Sequence, residues 1–121
     1  MKSRRAVKIS RDLDLAELHD CFATAELLHY ENLHFCEWGD GGRMIDEGRT
    51  DLDGDIPVNM SGGLLSKGHP IGATGVAQIC ELTWQLRGEA PTRERQVPNA
   101  KVGLGHVQGG FEVCTIHILK T

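Results

Sequence analysis

Aromatic residues make up only 5% of the 121-residue chain, too few for a surface that stacks successive bases. Positive charge is short as well: 13 Lys and Arg against 17 Asp and Glu leave a formal net charge of -4. No basic field is available to draw in a phosphate backbone or an anionic membrane, so nucleic acid is not an expected partner. No run approaches the ~18 apolar residues that a membrane-spanning helix needs. The start is locally basic through Lys2, Arg4, Arg5, Lys8 and Arg11, but no apolar core follows to make a secretory signal. The chain ends HILKT, which is not the S-K-L peroxisomal tripeptide. A cytoplasmic location is the expectation.

Close cysteine pairs are missing too. Cys21, Cys36, Cys80 and Cys114 include no C-x-x-C, so a structural zinc site has no sequence support and no metal is expected. Nothing marks the secreted context in which four cysteines would form a disulfide framework. Reduced thiols, some of them filling the core, are the default. Neither G-x-G-x-x-G after a strand nor G-x-x-x-x-G-K-[ST] occurs, so nucleotide phosphates are not an expected ligand.

What remains is a globular composition, 40% hydrophobic and 25% charged, of a size for one domain with a modest core. LDLAELHD (13–20) fits a short strand or the start of a helix. CFATAELLHYENLHF (21–35) reads as a helix through Phe22, Ala25, Leu28 and Tyr30. The glycines and acids of 38–55 predict a solvated loop, and IPVNMSGG (56–63) a strand end entering a glycine loop. IGATGVAQICELTWQLRG (71–88) is the clearest helix, with Gly88 suited to its C-cap. A proline-punctuated loop (90–100) leads to two strands, KVGLGHV and FEVCTIHIL, joined by QGG. Trp38 and Trp84 are expected to be partly buried anchors. The interleaving predicts an α/β layer: a mixed, mostly parallel sheet with helices packed on it and a final antiparallel hairpin.

Reactive side chains recur where a regular element meets a loop: HDCF (19–22), GHP (68–70) and GHVQGG (105–110). Such junctions combine fixed position with access. Cys21 falls at a helix start, where the macrodipole favours a thiolate. Asp20 reads as that helix's N-cap, although its charge opposes a thiolate next door. Taken singly, each stretch also has a bland reading: Cys21 as packing, His19 as a polar flank. His29, His34 and His117 have no supporting pattern and read as structural or surface groups.

The order of residues in PVNMSGGLLSKGHPIGATG (57–75) is more particular. It resembles the thiolase signature N-x-x-G-G-x-x-x-x-G-H-P-x-G-A-T-G, filled by Asn59, Gly62, Gly63, Gly68, His69, Pro70, Gly72, Ala73, Thr74 and Gly75. AELHDCFATAELLHYENL upstream, and AQICELTWQLRGEA and RQVPNAKVGLGH downstream, are similar to the same family. The resemblance runs from about residue 12 to the end, so the implied organisation is a basic segment over 1–11 and a thiolase C-terminal-like domain over 12–121. H-D-C-F in place of N-E-A-F is similar to the sterol-carrier-protein X branch. There a histidine, here His106, stands where other thiolases carry a later cysteine.

The resemblance implies acyl transfer on a CoA thioester, with a carbon–carbon bond cleaved or formed beside it. The thioester is substrate, and no bound cofactor is implied. His69 is expected to donate a hydrogen bond to the thioester oxygen and to help generate a nucleophilic thiolate. Cys21 is expected to move the α-carbon proton, and His19 to position a water in the same oxyanion hole. Backbone N–H groups near Gln108 and Gly109 are expected in a second hole, with Asn59, Gly68 and Pro70 supporting the loops. The acyl-accepting cysteine of the family belongs to an N-terminal domain, and none of Cys36, Cys80 or Cys114 has its context. The implied partner is therefore an N-terminal thiolase domain, a larger thiolase subunit or another copy, and activity without it is not expected. Two alternatives stay open: a related retro-aldolase acting on CoA thioesters, and a non-catalytic module of the same fold.

Overall fold

A computed structural model describes residues 11–110 and 112–121; the basic segment, apart from Arg11, lies outside them. Three strands form one mixed sheet in the order β1 (Leu15–Glu17), β2 (Val102–Gly109), β3 (Val113–Lys120). β1 and β2 are parallel with Leu15 opposite Gly103, and β2 and β3 form the antiparallel hairpin that the sequence predicts. The run 56–63 adds only a parallel bridge, Val58 to Ala16. Helices α1 (Ala23–Asn32) and α4 (Thr74–Arg87) are the two long ones. Gly88 closes α4 in the left-handed conformation (φ 72°), as a C-cap glycine should.

The two faces of the sheet are covered differently. Toward α4, Leu15, Leu82, Leu86, Val97 and Ala100 form one buried cluster. A Cβ on Gly103 would come within 2.9 Å of Leu82, and one on Gly105 within 3.2 Å. The glycines of V-G-L-G-H thus let α4 lie close on β2, while Leu104 and His106 point to the other face. There Leu104 joins Ala16, Leu18, Tyr30, Phe35, Met44 and Val58.

Two expected loops contain short helices. Within the acidic 38–55 stretch, α2 (Gly41–Asp46) forms because fully buried Met44 reaches the core shared by Tyr30 and Phe35. Within the glycine stretch, α3 (Gly63–Lys67) forms because the Asp20 carboxylate accepts from the Leu64 and Leu65 amides at 2.7 and 3.4 Å. Asp20 is therefore the cap of α3 and not of α1, whose N-cap is Phe22 with no side-chain bond. Trp38 is no anchor either; 69% of it is exposed.

Candidate active site

β1 and β2 run parallel, so the loops leaving their carboxyl ends open on the same edge of the sheet, where ligands collect in open α/β folds. A cavity of about 570 Å³ lies there, lined by His19, Cys21, His69, Gln108 and Gly109 among others. Its apolar rim comprises Phe22, Leu28 and Ile71, the last 89% exposed. Catalytic candidates read from three separate stretches thus meet around one space. Phe22, Leu28, His29 and Ile71 were not singled out for it, and no local pattern marks them.

His69 and His19 are in edge contact, with ring centroids 4.9 Å apart and planes at 84°. His69 Nδ1 is 2.7 Å from the Thr74 hydroxyl, and that hydroxyl is 3.2 Å from the Pro70 carbonyl. A carbonyl only accepts, so the hydroxyl proton goes to Pro70 and His69 Nδ1 is the donor to Thr74. The neutral His69 ring then keeps a lone pair on Nε2, the state of a general base. Once it has taken a proton, the same nitrogen is a donor for a developing oxyanion. Gly68 holds φ 94° and ψ 165° where α3 ends, a region essentially restricted to glycine. With Pro70 after it, His69 has little backbone freedom.

Cys21 precedes the Phe22 N-cap and is half-buried. Because the Asp20 carboxylate is turned to the α3 amides, its charge is already engaged there, which eases the conflict with a neighbouring thiolate. Asn59 does not line the cavity. Its side chain accepts from the Leu18 amide at 2.7 Å and donates to Glu26 at 3.3 Å, tying the end of β1 to α1. Its own φ of 55° is one that asparagine tolerates better than most residues. Gln108 and Gly109 do line the cavity; His106 lies beneath it, 5% exposed. Among the described residues no three His, Cys, Asp or Glu groups are arranged to hold a metal ion.

Burial lowers the pKa of His19, His29 and His106, the last to about 4; repulsion from neighbouring imidazoles adds to it at His19 and His106, whereas the His19 carbonyl and Asp20 oppose it at His29. Glu17 and Glu26 are raised by burial. The signs oppose each other. For the depressed imidazoles the unfolded chain binds more protons, so stability present above pH ~6.5 is lost as the pH falls through their folded values. For the raised carboxylates the folded chain binds more, and acid adds stability. His106→Gln removes one imidazole contribution only. Its urea midpoint should fall less between pH 7 and pH 5 than that of the parent chain; an equal fall would contradict the assignment.

The family pattern described as "Thiolase C-terminal domain-like" matches residues 3–121. The chain belongs to the thiolase family. An acetyl-CoA acetyltransferase of Methanothermobacter thermautotrophicus is 52% identical over 98% of this chain and 32% of its own length. Sterol carrier protein 2 of Rattus norvegicus is 56% identical over 88% of this chain and 19% of its own length. These relatives uphold the sterol-carrier branch read from residues 19–22. The thiolase chain described here thus spans about a third or less of the length of these two curated relatives. In fold it resembles a solved "Ltp2-ChsH2(DUF35) aldolase", with a TM-score of 0.78 and 24% identity over 91% of this chain and 27% of that one.

Proposed function

We propose that residues 12–121 supply one wall of a thiolase active site that cleaves or forms the carbon–carbon bond of a 3-ketoacyl-CoA. The observation that carries this reading is the meeting of His19, His69 and Cys21 around one cavity, with the two rings 4.9 Å apart. His69 Nε2 takes the proton of a nucleophilic thiol contributed by the rest of the enzyme. The resulting imidazolium then donates to the thioester oxygen, with His19 helping to hold a water at the same oxygen. The thiolate adds to the 3-keto carbon; when the carbon–carbon bond then breaks, the acyl group stays on that sulfur as a thioester and the electron pair goes to the α-carbon, which takes a proton from the Cys21 thiol.

The completing partner is an N-terminal-type thiolase segment, on the same chain or on another. Two uncovered apolar surfaces support this. Along α4, Val76, Cys80 and Trp84 recur every four residues and are exposed. On β3, Ile116 and Ile118 are about half exposed, and among the described residues no strand pairs its outer edge. Such contiguous apolar surface normally has something to cover it. A retro-aldolase is the second reading; retention of both H-D-C-F and G-H-P favours the thiolase.

The test joins residues 12–121 to the Methanothermobacter acetyltransferase in place of its matching segment. Thiolysis of acetoacetyl-CoA is then followed by loss of enolate absorbance. The hybrid should turn over and the present chain should not. Turnover by the present chain would overturn the dependence on a partner, and a folded but inert hybrid would favour the non-catalytic module.

A further inference from the structure

His29 is a buried titratable group with no part in the chemistry above, yet it touches both strand ends that build the site. From the last turn of α1, its Nε2 donates to the main-chain carbonyl of His19 at 3.1 Å. A carbonyl cannot donate, so Nε2 carries the hydrogen and the neutral ring keeps its lone pair on Nδ1. The same ring packs on His106, with centroids 4.3 Å apart and planes at 56°. His19 Nδ1 and His106 Nδ1 are both buried without a hydrogen-bond partner. Neither ring is therefore held through that nitrogen, and each is in contact with another ring, His19 with His69 and His106 with His29.

We propose that His29 is a positioning residue that pins the His19 main chain and the His106 ring to one another, so that the ends of β1 and β2 present a single fixed wall to the cavity. The groups facing this cluster are His19, Asp20 and Cys21 after β1, His69 after α3, and His106 on β2. Asp20 favours a proton on His29, whereas His29 and His19 both oppose one on His106. Charging both rings of the His29–His106 contact is unfavourable, and burial favours their neutral forms. His29 affects catalysis only if this cavity is the active site, but its positioning role is measurable without turnover.

Histidine side-chain nitrogen NMR on the full chain tests it. His29→Phe fills the space but has no donor and no charge. The His19 main-chain and ring signals should shift and broaden as the bond to its carbonyl is lost, and the His106 titration midpoint should rise as the like charge of His29 is removed. His29→Gln returns an N–H close to the position of Nε2. It should restore the His19 pattern while leaving the His106 midpoint raised. A His106 midpoint unchanged in either variant would overturn the proposal, as would wild-type His19 signals in the phenylalanine variant. If that variant does not fold, the glutamine variant decides alone. A raised His106 midpoint with intact His19 signals supports the role, and any other result refutes it.

Discussion

Cys21→Ala in the hybrid enzyme should lower kcat for acetoacetyl-CoA thiolysis by about 10³-fold, within the ~10²–10⁴ that a positioned acid/base contributes. KM should change little, because the thiol acts on a proton that moves only in the transition state. The geometry selects this cysteine over the others: Cys21 lines the cavity with His19 and His69, whereas Cys36, Cys80 and Cys114 do not. The neighbouring carboxylate of Asp20 is held by the Leu64 and Leu65 amides, and the first turn of α1 begins two residues on. A second readout separates this role from a packing role. Acetyl-CoA incubated in deuterated buffer should lose α-proton exchange in the variant, while acyl transfer to the enzyme's nucleophile persists as a burst of free CoA. Near-normal exchange would rule Cys21 out as the acid/base.

The same residues show what was legible in the chain and what was not. α4 was readable because fourteen residues of helical period end in a glycine that adopts the left-handed conformation. β2 and β3 were readable from two apolar runs across Q-G-G. His19, Cys21 and His69 fall where regular elements meet loops, and the thiolase resemblance singled them out. Distant partners were not legible. α3 is five residues long, too short to form on propensity, and it depends on a carboxylate more than forty positions earlier in the chain. α2 was hidden because glycines and acids outnumber the one side chain, Met44, whose burial forms it. His29 looks ordinary in A-E-L-L-H-Y because its partners, the His19 carbonyl and the His106 ring, belong to other elements. Periodicity reports which face of an element is buried, not which atoms it meets there.

The dependence of α3 on Asp20 has a measurable consequence. Gly63→Ala should cost about 3 kcal/mol in urea unfolding, more than an exposed glycine-to-alanine change in a turn. Gly63 has φ 61°, in the left-handed region, and an added Cβ would overlap the Asp20 carboxylate. The backbone contributes about 1–2 kcal/mol. Displacing a buried carboxylate from the amides it caps contributes a further ~1–2. The neighbouring Gly62 is the internal control. Its φ of 94° is strained for alanine too, but its Cβ would meet only the exposed Ser66 side chain, at 3.2 Å. Gly62→Ala should therefore cost only the backbone part. A double-mutant cycle isolates the clash: with Asp20→Ala, the penalty at position 63 should shrink toward that at position 62. Additive penalties would mean that Asp20 does not hold the start of α3. Asp20 lies between His19 and Cys21, so the same displacement should also reduce turnover of the hybrid. Its bond to the Leu64 amide ties the H-D-C-F turn to α3, the element that precedes the G-H-P loop.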